Sequence, residues 1–362
     1  MKARILLMLL LLSWSYQTNA QAKTQLKNVR VFMIGVLEWA DKVSFDSFDK
    51  RGRLDAKILK HFKDSGVPED KIVYLKDKQA TTDAVRAAFR EFLQKSNPDE
   101  TLIFYYCGHG YKDEKDRVCF ANYTGADFSA MEIVKTANEL FKGKTAYFFA
   151  DCCNSGGLAD EVKKYKNKQF VALNSVVPKD LSTGNWTFSN ALLYGLQGQS
   201  FVDKNSNGSI TLSELAQYID EEMAVVEEQK SAYFIPASMQ NMAIATGVPK
   251  KKDTKVGMRV MVDYDNEPYM GFVTGKNAEG QYIVRFYSYL NNETDFVDAS
   301  ELKPVICNTD FPVAAKVKVY SDYDEKWLPA RVVKKFMCLH YINYDGFGAE
   351  WNEWVSTDKI KK

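Results

Sequence analysis

Two short motifs place a histidine and a cysteine beside small, turn-forming residues. His109 lies between two glycines, directly after the apolar run 102–106. Cys153 lies in Asp-Cys-Cys-Asn-Ser-Gly-Gly, residues 151–157, directly after the apolar run 146–150. An imidazole that accepts the proton of a thiol produces a thiolate, which is a strong nucleophile. The pair therefore predicts nucleophilic catalysis if the fold brings the two side chains together.

Around these motifs, short apolar runs alternate with segments whose apolar residues have helical spacing. Apolar runs that predict buried strands lie at 29–36, 72–75, 102–106, 146–150 and 170–173. Helical spacing occurs at 53–63, 82–94 and 131–141, the last opened by a predicted Ser129-x-x-Glu132 capping box. This alternation predicts an α/β domain with a mostly parallel sheet flanked by helices. Because ligands bind beyond the carboxyl ends of parallel strands, we expect His109 and Cys153 to meet there.

The two motifs together resemble the caspase-like cysteine peptidases. A Gly-His-Gly after one strand and Asp-x-Cys-x-Ser-Gly after another are closer to the metacaspase branch than to animal caspases, and the similarity covers about residues 28–250. The resemblance implies a caspase-like fold and a His109–Cys153 dyad, with Cys153 rather than Cys152 as the nucleophile. It also implies an oxyanion hole formed by the backbone N–H groups of Gly110 and Cys153.

The sequence departs from the metacaspase pattern at two positions. Asn154 stands where metacaspases usually have His, and Cys107 stands before the first glycine of the histidine motif. Neither position is a member of the predicted dyad. The resemblance to active peptidases therefore holds for the two residues on which the chemistry depends.

Two acidic residues bear on the substrate. The resemblance implies that an acid at the position of Asp151 helps to bind Lys or Arg, and Asp55 matches loosely a second acid of that pocket. Paired carboxylates favour a cation and repel an acidic side chain, so we expect cleavage after Lys or Arg. In the alternative, Asp151 is a structural acid that accepts turn N–H groups. Arg51 and Arg53 lie close by in sequence and could reverse the charge of the pocket.

A loop between 203 and 214 matches the calcium-binding EF-hand pattern, although catalysis itself requires no cofactor. Oxygen-bearing side chains stand at its ligand positions and Gly208 at its turn position. The predicted calcium ligands are Asp203, Asn205, Asn207, Ser209 and Glu214. In the alternative, Thr211-x-x-Glu214 is a capping box that opens the following helix.

The C-terminal third has a different pattern. Apolar and polar residues alternate in 254–305 and again in 310–362, which predicts two small all-β, SH3-like barrels. The second barrel resembles Tudor-like and chromo-barrel modules, whose aromatic residues cage a cationic group. The candidate cage residues are Tyr320, Tyr323, Phe347 and Trp351. In the alternative, these aromatic residues form the barrel core. We expect a protein or a cell-envelope polymer as the ligand.

The N-terminus and the composition limit the possible functions. Residues 1–20 have the charged, apolar and small-residue order of a cleavable signal peptide, followed by a peptidase domain at 28–248. The sequence thus predicts a secreted or periplasmic protein with no membrane span, since the apolar run is shorter than the roughly 20 residues needed. With 48 Lys+Arg, 47 Asp+Glu and a net charge of +1, the composition excludes a largely disordered protein and disfavours nucleic acid as partner.

Cysteine and histidine usage narrows the chemistry further. Six cysteines are too few and too scattered for a disulfide framework, and three histidines without a Cys-x-x-Cys do not indicate a zinc site. The favoured function is an exported cysteine endopeptidase that acts on protein or peptide substrates. The alternative is a catalytically silent protein that keeps the peptidase fold as a binding scaffold.

Overall fold

The computed structural model describes residues 26–247, 255–264, 267–287, 294–307, 309–321 and 324–362. The predicted signal peptide and Tyr323 lie outside these residues. The chain divides into two compact units. The first ends at Ser182 and also contains Ala232–Gln240, and the second contains Thr183–Ser231 and Asn241–Lys362. The division therefore falls inside the predicted peptidase region at 28–248.

The helices and strands follow the predicted order. The α-helices in the described residues are α1 (Leu54–Asp64), α2 (Thr82–Gln94), α3 (Ala130–Leu140), α4 (Gly157–Val162), α5 (Thr187–Leu196) and α6 (Leu212–Glu227). The strands up to residue 246 are β1 (Val29–Gly35), β2 (Ile72–Lys76), β3 (Thr101–Cys107), β4 (Gly110–Lys112), β5 (Val118–Phe120), β6 (Phe128–Ser129), β7 (Thr145–Asp151), β8 (Gln169–Asn174), β9 (Ser209–Thr211), β10 (Ala232–Phe234) and β11 (Ala243–Thr246). The remaining strands are β12 (Arg259–Tyr264), β13 (Glu267–Lys276), β14 (Tyr282–Phe286), β15 (Thr294–Val297), β16 (Lys303–Pro304), β17 (Lys316–Ser321), β18 (Lys326–Phe336), β19 (Leu339–Tyr344), β20 (Glu353–Ser356) and β21 (Ile360–Lys361).

A six-stranded sheet forms the centre of the first unit. Its strand order is β10-β8-β7-β3-β1-β2, and all neighbouring strands are parallel except β10, which runs antiparallel to β8 at the edge. The predicted mostly parallel sheet is therefore confirmed. β3 and β7 are direct neighbours, with Cys107 opposite Asp151 at their carboxyl ends. The two predicted motifs thus leave the sheet side by side.

Both faces of this sheet are buried, which explains the continuous apolar runs in the sequence. Consecutive residues of β3, such as Leu102 and Ile103, are 0% and 6% exposed although they point to opposite faces. One face packs against the apolar sides of α2, α3 and α4. Ser129 caps α3 by accepting the N–H of Glu132, as expected, but the Glu132 carboxylate pairs with Arg86. Only the serine half of the predicted capping box forms.

The second unit contains two antiparallel sheets. Their orders are β15-β14-β13-β12-β16 and β20-β19-β18-β17-β21. The predicted all-β character of the C-terminal region is confirmed, whereas SH3-like closure and the Tudor-like class remain predictions. A disulfide joins Cys307 to Cys338 across 31 residues and fixes the segment before β17 to the β18–β19 turn.

Helix α6 packs against both C-terminal sheets. Its Glu222 is fully buried and pairs with Arg259 and Arg285, which come from β12 and β14. Two residues earlier in the helix, Asp220 pairs with Lys334 of β18 at 2.9 Å. Buried charges are tolerated when they are paired and hydrogen-bonded. The helix that follows loop 203–214 is therefore part of the same packed unit as the sheets.

None of the helices within the described ranges has the length and the apolar content required to span a membrane.

Candidate active site

The nucleophile candidate lies on a tight turn between β7 and α4. The turn is closed by the N–H of Ser155 donating to the carbonyl of Cys152 and by the N–H of Gly157 donating to the carbonyl of Asn154. Asn154 has a φ of +57°, in the left-handed region that asparagine tolerates better than most residues. The turn leaves Cys153 partly exposed, whereas Cys152 is only 2% exposed. This difference supports Cys153 rather than Cys152 as the nucleophile.

The imidazole of His109 lies among aromatic rings. Its ring centroid is 4.5 Å from that of Trp39, 4.6 Å from Phe48 and 5.4 Å from Phe45. Its Nε2 lies 2.9 Å from the carbonyl oxygen of Asp46. A carbonyl only accepts hydrogen bonds, so Nε2 carries the proton in this contact. Nδ1 is then the nitrogen left to accept a proton from a thiol.

The two loops meet through backbone contact. A Cβ atom added to Gly110 would lie 2.0 Å from the Cys153 carbonyl oxygen and 2.9 Å from the Cys152 Sγ. Only glycine allows this approach. The structure thus brings the residue after His109 against the nucleophile candidate, and a direct contact between His109 and Cys153 remains a prediction. Each side chain nevertheless has its own partner, since Nε2 of His109 contacts Asp46 and the sulfur of Cys153 contacts Ser182.

The backbone N–H of Gly110, the predicted oxyanion donor, is not used by the β-ladder. Gly110 lies opposite Phe120 in the β4–β5 ladder, and Ala121 N–H donates to the carbonyl of His109. Hydrogen-bonded and non-hydrogen-bonded pairs alternate along an antiparallel ladder. The Gly110–Phe120 pair is therefore of the second kind, and the ladder does not use the Gly110 N–H. Gly110 itself lies against the backbone of Cys153, and its role in an oxyanion hole remains a prediction.

The sulfur of Cys153 contacts both backbone polar groups of Ser182. The N–H of Ser182 donates to Sγ at 3.2 Å, and the Ser182 carbonyl oxygen lies 3.5 Å from the same sulfur. Burial raises the pKa of Cys153, and the Ser182 N–H only partly offsets that effect. Burial raises the pKa of Cys107 and Cys152 much further, which makes those two thiols inert. Sequence reasoning missed Ser182, because it contributes backbone groups that any residue has.

The two predicted specificity acids have different surroundings. Asp151 is 1% exposed at the end of β7, two residues before the nucleophile. Asp55 is equally buried, and its carboxylate accepts hydrogen bonds from Arg53 at 2.7 Å and from Tyr74 at 2.6 Å. Arg53 also pairs with Asp77 at 2.6 Å. A substrate cation would have to displace Arg53 to reach Asp55.

The predicted calcium ligands lie in a closed loop. Asp203 accepts the N–H of Gly208 at 2.7 Å, and Glu214 accepts the N–H of Asn205 at 3.3 Å. The N–H of Asn207 also donates to Oδ1 of Asp203 at 3.1 Å and to Oδ1 of Asn205 at 3.0 Å. The first, third and last ligand positions therefore lie together, which fits an EF-hand-like site. The capping box also forms, since Thr211 and Glu214 exchange hydrogen bonds at the start of α6. The carboxylate of Glu214 therefore already has partners, and calcium binding remains a prediction.

The described cage candidates form two aromatic pairs. Tyr320 lies against Trp327 with centroids 5.6 Å apart, and Phe347 lies against Trp351 at 6.0 Å. Phe347 and Trp351 are 44% and 46% exposed, so they are not core residues. Lys361 places its Nζ 3.7 Å from the Trp327 centroid, which shows that this ring binds a cation of the chain itself.

A further cluster with metal-ligating groups lies beyond His109. Ligand atoms of Asp113, Cys119 and Asp127 all lie within 4.8 Å of one another. Asp113 already pairs with Arg117, and Tyr111 donates to Asp127 at 2.6 Å. Sequence reasoning did not single out this cluster, because its members come from separate loops and strands.

Comparison with known proteins identifies the family. Residues 54–254 match the family model described as Caspase domain, which covers more than half of the chain. The chain belongs to this family, and membership implies cysteine-type peptidase activity. No curated protein matches the chain. The assignment to the metacaspase branch remains a prediction.

Part of the chain is also similar to solved structures, two of which follow. Caspase-1 from Spodoptera frugiperda is 13% identical, with a TM-score of 0.43, over 63% of this chain and 92% of that chain. A protein from Geobacter sulfurreducens is 11% identical, with a TM-score of 0.44, over 61% of this chain and 100% of that chain.

Proposed function

We propose that this protein is an exported cysteine endopeptidase that acts through His109 and Cys153. The observation that carries the proposal is the meeting of the two loops, where Gly110 lies against the backbone of Cys153 at the carboxyl ends of neighbouring parallel strands. Membership of the caspase-domain family supports the same chemistry.

The proposed reaction uses the geometry as follows. Nδ1 of His109 accepts the thiol proton, and the sulfur of Cys153 attacks the carbonyl carbon of the scissile peptide bond. The N–H groups of Gly110 and Cys153 stabilise the resulting oxyanion. The imidazolium then protonates the leaving amine as the C–N bond breaks, which leaves a thioester. Water, deprotonated by the same imidazole, hydrolyses the thioester and regenerates the thiol.

The proposed specificity is for Lys or Arg before the cleaved bond. Asp151 supports it, because a buried carboxylate two residues from the nucleophile favours a nearby cation. Asp55 would contribute only after Arg53 leaves its carboxylate. Asp151 is therefore the main specificity residue of the proposal.

The proposals for localisation and the C-terminal sheets have separate support. The Cys307–Cys338 disulfide is of a kind that persists in oxidising compartments, which supports export. The exposed pair of Phe347 and Trp351 supports a role of the C-terminal sheet β20-β19-β18-β17-β21 in binding a protein or cell-envelope ligand. Convergence of Asp203, Asn205 and Glu214 supports calcium binding by loop 203–214.

Hydrolysis of reporter peptides tests the proposal. Peptides ending in Lys, Arg or Asp before the reporter are incubated with the wild type, Cys153→Ala and His109→Ala, with and without calcium. We expect cleavage after Lys and Arg by the wild type and its loss in both variants. Cys152→Ala is the matched control and is expected to retain activity, because its thiol is buried beside the nucleophile.

Two outcomes would contradict the proposal. Equal hydrolysis by the wild type and Cys153→Ala would exclude this thiol as the nucleophile. Absence of hydrolysis of all peptides, with Cys153 just as reactive toward iodoacetamide after His109→Ala as before, would favour the catalytically silent scaffold.

A further inference from the structure

The sulfur of Cys153 is covered by a neighbouring segment of backbone. Ser182 contacts it twice, through its N–H at 3.2 Å and its carbonyl oxygen at 3.5 Å. A scissile carbonyl carbon must approach the same sulfur to within roughly 3 to 3.5 Å before reaction. A peptide and Ser182 therefore compete for the space around this atom.

The segment that carries Ser182 is fixed by the residue after the nucleophile. Asn154 donates its backbone N–H to the carbonyl of Asp180 at 2.9 Å. Its side-chain Nδ2 donates to the carbonyl of Pro178, also at 2.9 Å. Asn154 is 6% exposed, so these hydrogen bonds are shielded from competing water. One residue thus joins the nucleophile turn to two points of the segment.

Further contacts align the segment with the same turn. Val176 donates its N–H to the hydroxyl of Ser155 at 3.2 Å. A Cβ atom added to Gly156 would lie 2.7 Å from the Cδ of Pro178 and 2.8 Å from the Val176 carbonyl oxygen. The two backbones are therefore in direct contact, and the segment has one well-defined path past Cys153.

We propose that residues 176–182 form a latch that covers the nucleophile of the resting protein, and that Asn154 is the positioning residue that holds it closed. The inference rests on the proposed function, because it assigns a regulatory role to the surroundings of the same thiol. Substrate binding must move Ser182 off the sulfur while the nucleophile turn stays in place. The protein as folded is then latent, and opening of the latch limits its reaction with peptides and other electrophiles.

Two substitutions open the latch in different ways. Asn154→Gly removes the side-chain hydrogen bond to Pro178, while glycine still accepts the φ of +57° without strain. Ser182→Pro removes the N–H that contacts the sulfur. Ser182→Ala keeps that N–H and is the matched control.

The measurement is the rate of alkylation of Cys153 by iodoacetamide in the full chain, followed by mass spectrometry. It is made at a pH high enough to ionise the thiol, so the rate reports access rather than ionisation. We expect Asn154→Gly and Ser182→Pro to react about fivefold faster than the wild type, as expected for the loss of one hydrogen bond. Ser182→Ala is expected to react at the wild-type rate.

Buried thiols in the same molecule separate opening of the latch from unfolding. Cys107, Cys119 and Cys152 are buried, so a variant that unfolds exposes all of them together with Cys153. Selective acceleration at Cys153 supports the latch. Unchanged rates at Cys153 in both folded variants, or equal acceleration at all four cysteines, would overturn it. The readout needs no peptidase activity, so the latch and the proposed function can fail independently.

Discussion

Gly110 and Cys153 approach each other so closely that the carbonyl oxygen of Cys153 occupies the space of a side chain at position 110. A Cβ atom there would lie 2.0 Å from that oxygen. This contact links the strand that follows His109 to the turn that carries the nucleophile candidate. The contact also restricts position 110 to glycine.

Gly110→Ala is therefore expected to lower both stability and activity. The added methyl group overpacks the contact with Cys153, which typically costs about 1 to 3 kcal/mol. Urea denaturation measures the loss of stability, and reporter hydrolysis measures the loss of activity. Gly275→Ala is the control, because its nearest neighbour would be 3.6 Å away, an ordinary contact. Equal losses of stability and activity in the two variants would show that the Gly110 contact is not tight in solution.

Glu222→Gln is expected to destabilise the second unit strongly. The substitution leaves Arg259 and Arg285 buried without a counter-ion, and breaking such a cluster costs about 3 to 5 kcal/mol. Chemical denaturation measures the change. Asp263→Asn is the control, since its pair with Lys303 is exposed and contributes little. A loss for Glu222→Gln no larger than that of the control would refute a stabilising role of the cluster.

Reduction of the Cys307–Cys338 disulfide is expected to destabilise the second unit. The bond closes a segment of 31 residues, and a loop of this size corresponds to about 3 to 4 kcal/mol in the chain-entropy account. The midpoint of urea unfolding is measured with and without dithiothreitol. In the double variant Cys307→Ser, Cys338→Ser, dithiothreitol should have no effect. An unchanged midpoint for the wild type would contradict the prediction.

Stability is expected to fall as the solution becomes alkaline. Burial raises the pKa of Cys119 to about 12 and that of Cys107 and Cys152 well above the ordinary value, whereas unfolded thiols ionise near 8.5. Between these values the unfolded state loses protons that the folded state keeps, so the free energy of unfolding decreases with rising pH. Denaturation at pH 8 to 11 measures the slope. Cys119→Ala should flatten it, and an identical slope would show that this thiol does not contribute.

Calcium is expected to raise the melting temperature if loop 203–214 binds it. Glu214→Gln removes a charged ligand while glutamine still suits the capping box with Thr211, so the variant separates metal binding from helix capping. Isothermal titration with calcium measures binding directly, with magnesium as the comparison ion. Binding of equal strength in the wild type and in Glu214→Gln would exclude the carboxylate of this residue as a ligand.

The sequence alone was sufficient for the sheet and for the edge where the motifs meet. The apolar runs that became β3 and β7 are continuous because both faces of the sheet are buried, and this pattern is local in sequence. Parallel neighbours share their carboxyl edge, so the places of His109 and Cys153 followed from topology. In the C-terminal region, the alternation of apolar and polar residues likewise predicted the all-β character.

Only the tertiary structure decided which groups these residues contact. The closeness of Arg53 to Asp55 in sequence already pointed to that pair, whereas the contact of Arg53 with Asp77 and the cover of Ser182 on the sulfur of Cys153 have no signature in the sequence. Side-chain pairing across elements depends on the final path of loops, and backbone donors are the same in every residue. The chemical type of each residue and the periodicity of apolar residues can therefore be taken from the sequence. The partners of a side chain and its accessibility to substrate depend on how the chain packs.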